Sequence, residues 1–184
     1  HPGNLKALVI SNMMSSVPAY NEYAKSVLMP EMDPTALAEI QSLEKAGDTA
    51  NPRYMELLMP QHYEKHVLRK PAAEWPDPVL RSFSKINYNV YVPVQGPSEL
   101  GASGLLLNWD RSQDLKSIQV PTLVIGARYD TMNPKHMEWM AGQFPHGTYL
   151  YCPSGSHLAI YDDQAVYFDG LLTFLRELDA KSGT

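Results

Sequence analysis

The chain has 184 residues, 44% of them hydrophobic and 19% charged, and fifteen Lys/Arg against twenty Asp/Glu leave a net charge of −5. At ~150 residues per domain this suits one domain or one plus an appendage, with enough apolar material for a sizeable core. The acidic balance offers no basic face to nucleic acid, no apolar run approaches the ~18 residues of a membrane span, and the single cysteine, Cys152, rules out an internal disulfide or a four-thiolate zinc site.

The predicted elements begin with a helix terminus and a turn at His1-Pro2-Gly3-Asn4, then a short buried strand that Ser11 follows, so that residues 1–12 contribute one strand. The start carries no initiator Met, basic n-region or apolar h-region. A beginning inside a helix-to-strand connection is expected of the back part of something longer. Residues 13–107 then read as helices broken by prolines. Pro18–Met29 forms one helix. Asp33-Pro34-Thr35 supplies an N-cap with Pro at the first helical position for Ala36–Ala46, which Gly47 ends. Asn51-Pro52 repeats the device before Arg53–Arg69, a helix that Pro60 should kink or divide. Trp75-Pro76-Asp77-Pro78 opens another, running to about Lys85. No strand alternates with these helices, so 13–107 is expected to be a helical insertion or lid.

Residues 108–184 have a different texture. Val120–Gly126 is a continuous apolar run, as expected of a parallel strand buried on both faces. Asn133-Pro134 opens a helix to about Gln143, Thr148–Cys152 forms the next strand, and Asp162–Leu178 closes as an amphipathic helix. This alternation implies an α/β sheet with right-handed crossovers.

Active sites of open parallel sheets form outside the carboxyl ends of the strands. Asp130 lies just past the first of these strands and His157 just past the second, in Gly126-Ala127-Arg128-Tyr129-Asp130 and Pro153-Ser154-Gly155-Ser156-His157. Two successive loops therefore present a carboxylate and an imidazole, in the order of the last two members of a Ser…Asp…His set. The carboxylate would hold the ring in its working tautomer and stabilise the imidazolium. The nucleophile's G-x-S-x-G elbow is absent. Gly101-Ala102-Ser103-Gly104 is its nearest imitation, with the second glycine one residue too early, and Ser11 lacks both glycines. Ser103 and Ser11 are read as loop residues.

Taken together, HPGNLKALVIS, NPRYMELLMPQHYEKHVLR, NVYVPVQGPSEL, the Trp109-Asp110 pair, PTLVIGARYDTMNP and CPSGSHLAIYDD resemble the C-terminal portion of the proline iminopeptidase family, from His1 to about Leu178. The resemblance implies an α/β-hydrolase core, incomplete in this chain because its N-terminal strands and nucleophile elbow are missing, with an inserted helical cap. It divides the chain into a core strand at 1–12, a cap at 13–107 and the rest of the core at 108–184. It implies release of an N-terminal residue, often proline, from a short peptide, amide or arylamide through an acyl-enzyme. Asp130 and His157 match the family's catalytic acid and base. Glu99 matches a cap glutamate that grips the substrate's α-ammonium, and Tyr91 a cap tyrosine near it. The family commonly follows its aspartate with a second glutamate, where this chain has Thr131. That departure points toward broader activity on amino-acid amides or esters.

The implied partners are a short peptide or amino-acid amide substrate and the N-terminal remainder of the same protein, with neither nucleic acid nor membrane. No metal or organic cofactor is implied, and scarce cysteine suits cytoplasm and periplasm alike. His62 and His66 stand four apart on one helix, as a metal pair can, but Glu64 makes no H-E-x-x-H and a third ligand is lacking. Cys152 is read as a small apolar residue. Met13, Met14, Met29, Met32, Met55 and Met59 are read as cap packing. The other function class is a non-catalytic binding or assembly fragment, from which a reactive serine beside His157 would distinguish the hydrolase.

Overall fold

Thr122-Leu123-Val124-Ile125-Gly126-Ala127 is an apolar, β-branched run, and in the computed structural model it forms a strand buried at every residue. The structure describes residues 4–182, so the His1-Pro2-Gly3 part of the expected turn lies outside them. Call this strand β2 (Thr122–Ala127); it pairs in parallel with β1 (Leu8–Ser11) on one side and β3 (Gly147–Cys152) on the other. The register sets Ser11 opposite Ile125 and Cys152 opposite Ala127, so all three strands end at one edge.

Alternation of side chains along a strand gives β2 two packed faces. Leu123, Ile125 and Ala127 join Tyr167 and Phe174 of α8 (Gln164–Ser182), with Cys152 and Ala159. On the opposite face Gly126 lies against Met137 of α6 (Pro134–Gln143). A short α7 (Ala159–Asp162) precedes α8. Asn133 opens α6 as expected, its side chain accepting from the Lys135 amide. A 3₁₀ turn at Ser112–Ser117 was not signalled by the sequence pattern.

The described chain divides into two compact units. One comprises the residues up to Ser16 and those from Asp110 onward; the other is Val17–Trp109. The regular elements of the second are helices, among them α1 (Val17–Tyr23), α2 (Pro34–Ala46), α3 (Pro52–Leu58), α4 (Asp77–Ser84) and α5 (Tyr88–Val94). The Asp33 carboxylate caps α2 by accepting from the Thr35 and Ala36 amides at 2.9 Å each, and Gly47, at φ 69, closes it by donating to Glu44. Where single helices were expected, the backbone changes register. The expected Pro18–Met29 helix is α1 continued by a π-helical turn at Ala24–Leu28 and a 3₁₀ turn at Met29–Glu31. At Pro60 the expected division takes the form of a π-helix over Met59–Val67 following α3. The core of this unit is built by Tyr20, Leu28, Ile40, Tyr54, Leu58 and Val67.

Candidate active site

The edge at which the three strands end carries the chemistry. The turn after β2 is closed by the Tyr129 amide donating to the Gly155 carbonyl at 3.0 Å, and by Arg128 donating to Cys152 at 3.0 Å. These bonds tie the Asp130 loop to the His157 loop. Asp130 is fully buried, and its Oδ1 receives His157 Nδ1 at 2.9 Å and the Met132 amide at 3.0 Å. A carboxylate accepts only, so Nδ1 carries the hydrogen and Nε2 keeps the lone pair. The His157 side chain is 23% exposed, which leaves the ring reachable. Thr131 Oγ1, also buried, lies 3.2 Å from Nδ1 and 3.4 Å from Asp130 Oδ1. Behind His157, the Ser156 amide donates to Asp162 Oδ1 at 3.0 Å, and the Ser156 hydroxyl makes a short bond to Oδ2 of the same residue. An imidazole so oriented is equipped to take a proton at Nε2, with the carboxylate stabilising the resulting imidazolium.

The helical unit brings the other two named residues together. Tyr91 of α5 donates its hydroxyl to Glu99 Oε1 in a short bond. The Glu99 backbone is held as well: its carbonyl accepts from the Tyr20 hydroxyl at 2.7 Å and from His62 Nε2 at 2.9 Å, while its amide donates to the Tyr63 hydroxyl at 3.2 Å. Burial, and then the Glu99 carboxylate, push the hydroxyls of Tyr91 and Tyr63 well above the usual tyrosine range. Both therefore remain protonated, Tyr91 as the donor to the Glu99 carboxylate. A carboxylate on a loop fixed at its peptide by three side chains can present negative charge to a cation.

No family model matches the chain. A proline iminopeptidase of Elizabethkingia meningoseptica is 50% identical over 181 residues, covering 97% of this chain and 60% of that protein. A proline iminopeptidase of Chitinophaga pinensis is 45% identical over 182 residues, covering 99% of the chain and 61% of that protein. The chain is homologous to the proline iminopeptidases. It spans about three fifths of these relatives' length and matches their C-terminal portion. The crystal structure of VinJ superposes with a TM-score of 0.88 at 26% identity, over 97% of the chain and 60% of VinJ. The structural neighbours are α/β-hydrolases, and the three parallel strands with flanking helices are consistent with part of such a core.

One residue of the site was missed by sequence reasoning. Asn12, immediately after β1, donates from Nδ2 to Asp130 Oδ2 at 2.6 Å. The available signal was its position, a polar residue at a third strand end on the same edge. Ser11, read as a loop residue, is instead the last residue of β1 and donates to Asn12 Oδ1 at 2.7 Å. Ser103 does lie in a loop, its amide donating to the Gln95 carbonyl. The rings of His62 and His66 lie 5.3 Å apart, tilted by 34°, His62 donating to the Glu99 carbonyl and His66 Nε2 lying 3.2 Å from Glu31. Among the described residues no His, Cys, Asp or Glu cluster is arranged to hold a metal, and no helix is long and apolar enough to cross a membrane. Cys152 is fully buried, its thiol pushed up to about 12 by burial and then by the charges of Asp163, Asp162 and Asp130. Such a thiol is a poor nucleophile at neutral pH.

Proposed function

We propose that the protein to which this chain belongs is a serine-type aminopeptidase that releases N-terminal proline or another residue from short peptides, amides or arylamides. The observation that carries the reading is the 2.9 Å pairing of His157 with buried Asp130 at adjacent strand ends, in a homologue of proline iminopeptidases. In this reading a serine from the part of the relatives' length that this chain does not span attacks the substrate carbonyl. Its proton passes to His157 Nε2, and the tetrahedral intermediate collapses as the same proton is delivered to the leaving amine. Water, deprotonated by His157, then hydrolyses the acyl-enzyme and restores the serine. Glu99, supported by Tyr91, takes the substrate's α-ammonium. Val17–Trp109 corresponds to the family's inserted helical cap, and the remaining residues to part of an α/β-hydrolase core.

Thr131 favours a second reading within the same chemistry. Where the family commonly supplies a second amine-binding glutamate, this chain places a neutral hydroxyl beside His157 Nδ1. A weaker demand for a charged N-terminus fits a broader amino-acid amidase or esterase. Comparing kcat/KM for prolyl and N-acetyl-prolyl arylamides with the full-length enzyme separates the two. The aminopeptidase reading expects a loss of about a hundredfold on acetylation, from the loss of charge-assisted bonds to Glu99; an undiminished rate removes the amine-binding role. Labelling by a fluorophosphonate that His157→Ala abolishes is the expected signature of the serine mechanism, and no labelling of the intact protein would discard it.

A further inference from the structure

We infer that Asn12 is the positioning residue that sets the rotation of the Asp130 carboxylate, an inference that rests on reading Asp130 and His157 as the acid and base. The backbone is the first observation. Asn12 has φ 53 and is the only non-glycine residue with a positive φ among the described residues. That region is strained for most side chains and tolerated by asparagine. Its amide still donates to Ile125 at 2.9 Å, extending the β1–β2 ladder by one residue before the chain turns. The left-handed turn coincides with a side chain that is nearly buried and directed at the end of β2.

The second observation is the direction of the hydrogen bonds. Asn12 Nδ2 donates to Asp130 Oδ2 at 2.6 Å and to the Ser156 carbonyl at 3.2 Å. Both partners accept only, so the amide nitrogen must face them. On its other side the Ser11 hydroxyl donates to Asn12 Oδ1 at 2.7 Å and itself accepts from the Tyr167 hydroxyl at 3.1 Å. Tyr167, on α8, thus orders Ser11, which orders Asn12. Position 12 must donate to Asp130 and accept from Ser11, and neither an ionised Asp nor a small apolar residue does both.

The consequence concerns two loops at once. Asp130 Oδ1 is taken by His157 Nδ1 and the Met132 amide, while Asn12 holds Oδ2. The same nitrogen grips the carbonyl of Ser156, the residue before His157. One side chain therefore fixes the carboxylate's rotation and the approach of the loop bearing its imidazole partner.

The test uses the full-length enzyme on a prolyl arylamide. Asn12→Gly accepts the left-handed turn but lacks the amide; kcat should fall about ten- to a hundredfold with KM unchanged, as for a reacting group misplaced by about 1 Å. Asn12→Asp keeps the size and the backbone tolerance. Its introduced carboxyl would face Asp130, with His157 across from the pair, Asp162 behind Ser156 and Tyr167 behind Ser11. Two carboxylates so close share a proton. Activity in Asn12→Asp should therefore pass through a maximum, rising as His157 becomes neutral and falling again as the introduced carboxyl loses the proton with which it donates as the amide did. The parent enzyme should show the rise without the fall. A lowered melting temperature with kcat and the pH profile unmoved in both variants would mean Asn12 is merely structural and would overturn the inference. Asp130→Ala distinguishes the two failures. If it kills activity while the Asn12 variants behave as parent, only the role of Asn12 falls; if it leaves kcat intact, the acid–base reading falls with it.

Discussion

The two units hold their carboxylates in different ways. In the sheet unit, Asp130 is fully buried and is placed by strand ends: the turns after β2 and β3 bond backbone to backbone, and the partner ring follows at 2.9 Å. In the helical unit, Glu99 lies on a loop whose peptide is fixed by side chains of Tyr20, His62 and Tyr63, and its carboxylate meets Tyr91. A ladder fixes position with little freedom left to adjust, which suits a group that must hold an imidazole in one tautomer. A loop pinned by tyrosines suits recognition of a group arriving from solution. On the function proposed above, damage to the sheet unit should be read in kcat, and damage to the helical unit in KM and substrate choice.

The hardest test of that division is His157→Ala, for which kcat on a prolyl arylamide should fall by about ten-thousandfold with little change in KM. A fall seen only in KM would break the division at once. Next, Glu99→Gln should cost about ten- to a hundredfold in kcat/KM, since a hydrogen bond to a charged group contributes ~1.5–3 kcal/mol. That loss should appear in KM, and should vanish on the N-acetylated substrate. A third change probes the scaffold alone. Gly126→Ala in β2 would set a methyl 2.6 Å from the Tyr149 hydroxyl and 3.1 Å from Met137 Cβ. Overpacking of this kind costs ~1–3 kcal/mol, and a melting temperature equal to the parent's would show that β2 yields more easily than its burial implies.

The smallest effect belongs to the helical unit. Glu44 is partly buried, and burial raises its pKa above the usual value while the bond from the Tyr54 hydroxyl at 2.7 Å works the other way. The folded state then binds the proton more tightly than the unfolded chain. Its stabilising contribution is fully present below the unfolded pKa and is lost as pH rises through the raised folded value. Melting curves across that window should show a shallow decline in the parent and none from this site in Glu44→Gln. An identical decline in both proteins would assign it elsewhere.

Legibility in the sequence followed the range of the interactions. β2 could be read because a strand covered on both faces needs an unbroken apolar run, and Asp130 and His157 could be read because their loops follow such runs directly. The α2 cap at Asp33 and its stop at Gly47 are equally local. α5 escaped notice: Val90 and Val92 are poor helix formers and Pro93 lies inside it. What sustains it is the Asn87 side chain accepting from the Asn89 amide at its start. At its end, the amides of Leu105 and Leu106 return to the carbonyls of Pro93 and Val94. The shift into π-helix after Tyr23 leaves no pattern in composition either, and after Leu58 Pro60 marks the break but not its π-helical form.

The order of residues alone determined the strand-and-helix alternation, the two loops that carry Asp130 and His157, and the likeness to the proline iminopeptidases, since each depends on neighbours within a few positions. Only the folded chain decided that Asn12 reaches a carboxylate 118 positions away and that Glu99 is held by Tyr20, His62 and Tyr63. Those contacts are made when parallel strands and packed helices bring distant segments together, and the spacing of residues along the chain contains no record of which polar groups meet there.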